Sequence, residues 1–255
     1  MFNEINIELT SRCNKHCAIC NRWRDGKEKG DIPFALLEKI EPQLPPSTLI
    51  HFHNNGEPLL YERLKDVMKL FHGHIKQFDT NGILLCKKTK EIEGADIISI
   101  SIIEDDPIGA EQLDILEEYL SSPNCVPSVL ARCVGKIDTK RMLRLIDFGI
   151  PIVKRTLHSK DGRTAYHKKP LMPEDGICRD FLNHPAIDRF GNFSMCVRYD
   201  PEGRGVLGNV NDTSINAIWN SEKRHTYLKH HKYGMRESIA FCADCEYYGI
   251  PQGGE

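Results

Sequence analysis

Apolar and polar residues alternate in six short runs along the first 157 residues, and longer helical stripes separate these runs. The alternating runs predict strands at residues 5–9, 48–52, 75–79, 96–103, 128–134 and 150–157. Between the runs, apolar residues recur every three or four positions, which predicts helices. Asp31 and Pro33 should start the first helix, and a weak helix is predicted over residues 87–93. A later helix should begin at Asp138 and end at Gly149.

This alternation of strand and helix predicts the fold class. Six strand–helix units within about 160 residues indicate parallel strands joined by right-handed crossovers. A closed eight-unit barrel usually needs about 250 residues, so we expect an α/β fold with an open, partial (β/α)6 barrel over residues 1–165. Residues 166–255 are rich in Gly, Asn, Asp and Pro and carry four cysteines, which predicts a small cysteine-rich C-terminal domain.

Composition and charge narrow the possible functions. The 255-residue chain has a net charge of −2, which gives no indication of binding to nucleic acid or to an anionic membrane. It lacks an apolar run long enough to cross a bilayer and lacks a secretion leader, so a cytoplasmic location is expected. Ten cysteines in such a chain favour metal or redox chemistry over a disulfide framework.

Three cysteines lie within eight residues, directly after the first predicted strand. Cys13, Cys17 and Cys20 have the spacing C-x3-C-x2-C. A structural zinc site needs four ligands, and the candidates for a fourth ligand are His16, His51 and His53. Three thiolates without a fourth ligand suit an iron–sulfur cluster with one open iron. The spacing therefore favours an iron–sulfur cluster and leaves zinc as the alternative.

The stretch RCNKHCAIC, placed after the first strand of a βα protein, resembles the signature of the radical S-adenosylmethionine (SAM) superfamily. The segment NGEP at residues 55–58 is similar to the family's glycine–glycine–glutamate motif, with Asn55 in place of the first glycine. "TNG" at residues 80–82 is also common in the family. The resemblance implies a set of SAM-contacting residues, namely Asn55, Gly56, Glu57, Pro58, Asn81, Ser99, Ser101, Arg132 and Ile19, the last in place of the family's usual aromatic residue.

The resemblance also implies the chemistry of the first cysteine set. In the family, the three cysteines hold a [4Fe-4S] cluster, and SAM chelates its open iron. Reductive cleavage of SAM then gives a 5′-deoxyadenosyl radical that abstracts a hydrogen atom from the substrate. The resemblance further implies a reducing electron donor such as flavodoxin or ferredoxin.

A second cysteine set lies in the C-terminal region. Cys178, Gly191 and Cys196 have the spacing C-x12-G-x4-C, and Cys242 and Cys245 follow as C-x2-C. This spacing alone permits a four-cysteine zinc site. The whole set resembles the SPASM extension of radical SAM enzymes in its shortened twitch form. That resemblance implies one auxiliary [4Fe-4S] cluster with all four irons ligated, and therefore two [4Fe-4S] clusters in the protein.

The twitch-type relatives include aminocyclitol dehydrogenases, which oxidise a secondary alcohol to a ketone. The resemblance therefore implies a radical SAM oxidoreductase that oxidises a small molecule such as an alcohol and passes one electron to the auxiliary cluster. This reaction needs a base close to the hydroxyl proton. The candidates lie between the sixth strand and Cys178, and they are Lys154, Arg155, His158, Asp161 and Arg163.

Two alternative functions stay open. Many SPASM proteins modify peptides, so the substrate could be a peptide presented by a separate partner. From another class, the chain could be a noncatalytic zinc-binding protein with two structural sites.

The single cysteines Cys86, Cys125 and Cys133 are expected in the core or in loops. The histidines His225, His230 and His231 are expected on the solvated face of a helix.

Overall fold

Six parallel strands alternate with five helices in the N-terminal part of the computed structural model, which describes residues 2–17, 19–20, 26, 28–126, 128–155, 177–198, 200–243 and 245. The strands are β1 (Glu4–Ile7), β2 (Leu49–His51), β3 (Ile75–Thr80), β4 (Ile97–Ile103), β5 (Ser128–Val134) and β6 (Ile152–Arg155). The helices are α1 (Phe34–Ile40), α2 (Leu64–Leu70), α3 (Leu85–Lys88), α4 (Gly109–Leu120) and α5 (Thr139–Asp147). The predicted α/β fold with a partial barrel is confirmed.

The C-terminal segment continues the same sheet instead of building a separate one. Its elements are α6 (Arg179–Asn183), β7 (Ala186–Ile187), β8 (Asn192–Ser194), β9 (Val206–Asn209), α7 (Ile215–Trp219) and α8 (Glu222–Lys232). Strand β7 pairs in parallel with β1, and β8 and β9 follow in antiparallel pairing. The strand order is β6-β5-β4-β3-β2-β1-β7-β8-β9, so β1 lies between the barrel strands and the cysteine-bearing segment.

The two faces of the sheet differ in polarity. In β4, Ile98, Ile100 and Ile102 are fully buried, and they alternate with Ser99 and Ser101. Because successive side chains of a strand point to opposite faces, one face packs against the helices and the other carries polar groups. This second face is called the polar face below. No helix in the described parts of the chain combines the length and apolarity that a membrane crossing requires.

Two predicted helix boundaries are wrong. Pro33 occupies the N-cap position of α1 without a side-chain cap, because the carboxylate of Asp31 instead binds the guanidinium of Arg12. The weak helix predicted at 87–93 lies earlier, at Leu85–Lys88. The signals around α5 are confirmed, since Asp138 Oδ1 accepts the backbone N–H of Arg141 at 3.0 Å and Gly149 has φ 68°.

Candidate active site and auxiliary cysteine site

The first three cysteines lie in one loop after β1, of which the structure describes residues 13–17 and 19–20. This segment is called the cysteine loop below, and it contacts the end of β3. The side-chain amide of Asn81 lies 3.8 Å from Cys13 Sγ and donates a hydrogen bond to Asn14 Oδ1 at 2.8 Å. The pKa of Cys17 is raised to about 11, chiefly by burial; the neighbouring thiols of Cys20 and Cys13 contribute to the rise, and the charge of Lys15 opposes it. The three predicted thiols therefore lie close enough to influence one another. A bound iron cluster would reverse this shift, because coordination deprotonates a thiol.

Ile19 and Lys15 belong to the same loop. Ile19 is half-buried, and its packing on an adenine ring stays a prediction. The ammonium of Lys15 forms an ion pair with Asp106, and both side chains are nearly inaccessible to solvent. This ion pair attaches the cysteine loop to the segment between β4 and α4. The contact joins residues far apart in the chain and has no signal in the sequence.

The carboxylate of Glu57 joins the ends of β2 and β3. Its Oε1 accepts hydrogen bonds from the backbone N–H of Leu59 at 3.1 Å and from the hydroxyl of Thr80 at 2.7 Å. Its Oε2 accepts the backbone N–H of Asn81 at 2.8 Å. Because an ionised carboxylate can accept about four hydrogen bonds, these three donors leave capacity for one more. The residue therefore fits the binding of an ammonium group such as the amine of SAM.

Gly56 is required by a close approach of two backbone segments. A Cβ atom at this position would lie 2.0 Å from the carbonyl oxygen of Thr10 and 2.7 Å from that of Arg12. The adjacent N–H of Glu57 donates to the same Arg12 oxygen at 2.8 Å. Asn55 has room for a side chain, and its amide donates to Glu8 Oε2 at 2.9 Å. This explains why the second position of the motif is glycine while the first tolerates asparagine.

Arg132 and Ser101 contact each other on the polar face. Arg132 donates to Ser101 Oγ at 2.8 Å and to Asp79 Oδ2 at 3.0 Å. Burial alone would raise the pKa of Asp79, but Arg132 and His53 together hold it well below its usual range. Ser99 is buried on β4, the strand that also carries Ser101. Asp79 was missed in the sequence, where its only signal was a polar residue at an alternate position of β3.

Two of the five candidates for the base, Lys154 and Arg155, belong to the part of the chain that the structure describes, and they lie on opposite faces of β6. Lys154 is paired in register with Cys133, whose buried side chain faces the helices. Arg155 is the next residue and therefore faces the polar face. There, partial burial and the positive charges of Arg132 and Arg198 lower its pKa. His158, Asp161 and Arg163 lie outside the described residues.

The four C-terminal cysteines converge on one small cavity. Its lining includes the side chains of all four, Cys178, Cys196, Cys242 and Cys245. Apolar residues surround the thiols, namely Phe181, Met195, Ile239 and Phe241. Burial raises the pKa of Cys196 well above its usual value, while the nearby guanidinium of Arg198 opposes the rise. The donor set and its apolar surroundings fit a fully ligated [4Fe-4S] cluster.

The four C-terminal cysteines and their surroundings are called the auxiliary cysteine site below. One of the three histidines that the sequence predicted to be exposed is part of it. His225 is exposed and His230 is half-buried, but His231 has 0% exposure, so its assignment to a solvated face was wrong. The reason is that α8 packs against α6, where the ring of His231 stacks on Phe181 with centroids 4.6 Å apart. The polar sequence of α8 concealed this buried position.

Comparisons with known proteins show similarity to an iron–sulfur domain and to a SAM-dependent enzyme. Residues 178–246 match the SPASM family, an iron-sulfur cluster-binding domain. The chain is 24% identical over 255 residues to the S-adenosyl-L-methionine-dependent 2-deoxy-scyllo-inosamine dehydrogenase of Niallia circulans, which covers 96% of this chain and 93% of that protein. The chain thus resembles radical SAM enzymes that carry a SPASM domain. The resemblance expected from the cysteine motifs is confirmed.

Structural similarity extends over the whole chain. BtrN in complex with AdoMet and 2-DOIA matches with a TM-score of 0.61 and 22% identity, covering 100% of this chain and 96% of that one. This match shows the fold. A match over a shorter stretch is found with the tungsten-containing aldehyde ferredoxin oxidoreductase cofactor-modifying protein of Pyrococcus furiosus, which is 33% identical over 106 residues, or 38% of this chain and 29% of that protein.

Proposed function

We propose that this protein is a radical SAM oxidoreductase that carries out the two-electron oxidation of a small-molecule alcohol. The observation that carries the proposal is the arrangement at Asn81. Its side chain contacts the cysteine loop at Cys13, and its backbone N–H binds the carboxylate of Glu57. A three-thiol site and an ammonium-binding carboxylate are thereby held next to each other, in a chain similar along its length to a SAM-dependent dehydrogenase.

In this proposal, the cysteine loop holds the cluster to which SAM binds. Cys13, Cys17 and Cys20 would ligate three irons of a [4Fe-4S] cluster, and Glu57 would accept the amine of SAM. Bound together, the cluster and SAM supply a 5′-deoxyadenosyl radical. The other residues proposed to contact SAM are Asn55, Gly56, Pro58, Asn81, Ser99, Ser101, Arg132 and Ile19. The polar face would bind the hydroxyl groups of the substrate, with Asp79 keeping Arg132 in position.

The auxiliary cysteine site would hold the second [4Fe-4S] cluster. With four thiolates and no open iron, such a cluster favours electron transfer over direct binding of substrate. The same proposal divides the chain into a barrel at 1–165 and an auxiliary domain at 166–255. It also includes a cytoplasmic location and a flavodoxin or ferredoxin as the electron donor. The base is proposed to be one of Lys154, Arg155, His158, Asp161 and Arg163. Of the two that the structure describes, Arg155 lies on the polar face.

Anaerobic reconstitution tests the proposal. We expect about eight irons and eight sulfides per chain, together with release of 5′-deoxyadenosine from SAM in the presence of reductant. Replacing Cys13, Cys17 and Cys20 by Ala should abolish this release and leave about four irons in the auxiliary cluster. Retention of SAM cleavage in that variant would contradict the proposed role of the cysteine loop.

Assays on the same reconstituted protein distinguish between the proposed function and the two alternative functions. Oxidation of small alcohols, measured as ketone product formed with 5′-deoxyadenosine, supports the dehydrogenase proposal. Modification of a peptide with no turnover of alcohols would assign the protein to the peptide-modifying enzymes. Zinc without sulfide in the purified protein would instead indicate the noncatalytic zinc-binding protein.

A further inference from the structure

Three ligating side chains outside both cysteine sets converge near the start of β1. They are Glu4, His51 and His184, and their ligating atoms all lie within 4.8 Å of one another. Glu4 Oε2 lies 3.6 Å from His51 Nε2, and Glu4 Oε1 lies 3.8 Å from His184 Nδ1. The imidazole rings of the two histidines lie 5.2 Å apart between centroids. This group is called the His–Glu cluster below.

The sheet topology explains why residues so distant in sequence meet. Strand β1 lies between β2 and β7, and Asn6 is opposite His51 on one side and Ala186 on the other. Glu4 precedes Asn6 by two residues, and His184 precedes Ala186 by two residues. Because positions two apart in a strand share a face, Glu4 lies on the same side of the sheet as Asn6 and His51. His184, at the end of α6 just before β7, is brought beside them by the β1–β7 pairing. The cluster is therefore fixed by backbone pairing and not by long mobile side chains.

Hydrogen bonding orients one of the two imidazoles, that of His184, for ligation. His184 Nε2 lies 2.7 Å from Asn6 Oδ1, and since an amide oxygen can only accept, Nε2 carries the proton. The unprotonated Nδ1 of His184 then points to Glu4. On the other side, His51 Nε2 is buried and has no hydrogen-bond partner among the described residues. Metal-bound histidines commonly have the arrangement seen at His184, with the second ring nitrogen held by an oxygen atom.

The spacing of the ligating atoms suits a divalent metal ion. Zinc binds imidazole nitrogen at about 2.0–2.1 Å, so two ligand atoms of a tetrahedral site lie about 3.4 Å apart. Glu4 presents one oxygen to each histidine, at 3.6 and 3.8 Å. With one ligand atom taken from each residue, all three atoms lie within 4.8 Å of one another, so a modest contraction of the side chains would bring them to bonding distance of one ion. Two imidazoles and one carboxylate form the donor set of open zinc and non-haem iron sites, in which a fourth position stays available.

We propose that Glu4, His51 and His184 bind one divalent transition metal ion, with an open coordination position for water or for an oxygen atom of a small molecule. Asn6 acts as the positioning residue for His184. Neither cysteine set contributes to this site, so it does not depend on the proposed radical chemistry and can be tested without it.

Zinc is the metal used for the test. The protein is reconstituted anaerobically with iron and sulfide so that the thiols are occupied, treated with one equivalent of Zn²⁺ and desalted. We expect one zinc per chain, and a zinc X-ray absorption spectrum with nitrogen and oxygen ligands at about 2.0–2.1 Å and no sulfur at about 2.3 Å. The variants Glu4→Gln, His51→Gln and His184→Asn should bind zinc at least tenfold more weakly, with unchanged iron content.

A matched control is available elsewhere in the chain. His74 Nε2 lies 3.6 Å from Glu41 Oε1, the same separation as between His51 and Glu4. Among the described residues, no third ligating side chain joins that pair. The variant His74→Asn should therefore bind zinc as the wild type does. If zinc binds it as weakly as the cluster variants, the loss reflects general destabilisation and the assignment fails.

The wild-type spectrum decides the proposal even if a variant does not fold. Sulfur ligands would place the zinc in the cysteine sites and overturn the proposal. Loss of the zinc during desalting would show that the cluster is only an ion pair between a carboxylate and two histidines. Equal zinc affinity in wild type and in all three cluster variants would also overturn it.

Discussion

His231 Nε2 lies 3.6 Å from Cys242 Sγ within the auxiliary cysteine site. The other ring nitrogen, Nδ1, lies 3.4 Å from the backbone N–H of Cys178. Because that N–H can only donate, Nδ1 is the acceptor, and Nε2 carries the proton directed at the thiol. One buried imidazole therefore contacts two of the four proposed cluster ligands and presents an N–H group to the sulfur of one of them.

Removing this N–H group should lower the reduction potential of the auxiliary cluster. Hydrogen bonds to the sulfurs stabilise the reduced cluster, which carries more negative charge. A hydrogen bond worth about 1 kcal/mol corresponds to roughly 40 mV for a one-electron couple. We expect the His231→Leu variant to be reduced at a potential lower by tens of millivolts in a redox titration followed by electron paramagnetic resonance.

A neighbouring histidine provides the control for this measurement. His225 lies on the same helix but is exposed, and its ring contacts the carbonyl oxygen of Ser221. His225→Leu should leave the potential unchanged, and His231→Gln, which keeps an N–H donor, should restore part of the shift. Identical potentials in wild type and His231→Leu would show that the contact with Cys242 has no electronic effect.

Replacing Gly56 by Ala should disrupt the site that joins the cysteine loop to Glu57. The new Cβ would meet the backbone oxygens of Thr10 and Arg12, which cannot move away as a flexible side chain could. We expect the Gly56→Ala variant to bind SAM at least tenfold more weakly in equilibrium dialysis. Gly73→Ala is the matched control, because no atom lies within 4 Å of a Cβ built there. Equal weakening in both variants would contradict this explanation.

The sequence predicted most of the barrel because its signals are local. The isoleucines of β4 alternate with serines, and Asp138 caps α5, so periodicity and capping identify both elements. The pairing of β7 with β1 was not predictable, since a two-residue strand has too little pattern to read. That pairing is what extends the sheet into the C-terminal segment.

The candidate sites were predictable to the extent that they depend on short motifs. The cysteine spacings and NGEP are contiguous in sequence, whereas Asp79 and His184 act through partners that are distant along the chain. Asp79 meets Arg132 from another strand, and His184 meets Glu4 through the β1–β7 pairing. Buried histidines in polar stretches, such as His231, carry no sequence signal, because their burial depends on how the helices pack.

The ion pair between Asp79 and Arg132 should contribute to stability as well as to the site. Asp79 is buried, so Asp79→Asn would leave the guanidinium without its charged partner. We expect a loss of about 3 kcal/mol in the free energy of unfolding, measured with urea. The exposed pair of Arg63 and Asp66, at 2.7 Å, is the control. Asp66→Asn should cost less than about 1 kcal/mol, and similar losses in both variants would contradict the importance of burial.

Glu57 should give the iron-free protein an unusual dependence of stability on pH. Burial raises the pKa of Glu57 to about 7, whereas its ordinary value is 4.5. Between these values the folded state holds more protons than the unfolded state, so the contribution of Glu57 to stability falls as the pH rises. The slope can reach about 1.4 kcal/mol per pH unit between the two pKa values, and it declines to zero as the pH moves below 4.5 or above 7.

The variant Glu57→Gln cannot titrate and isolates this contribution. Urea unfolding under reducing conditions should show that the free energy of unfolding of Glu57→Gln, relative to wild type, rises by about 2–3 kcal/mol between pH 5 and pH 7.5. Glu62→Gln, at an exposed position, should follow the wild-type profile. A constant difference between Glu57→Gln and wild type would mean that Glu57 titrates at the same pH in the folded and unfolded states. The carboxylate would then be charged at neutral pH before any ammonium group binds, and the hydrogen bonds from Thr80 and Asn81 would suffice to offset its burial.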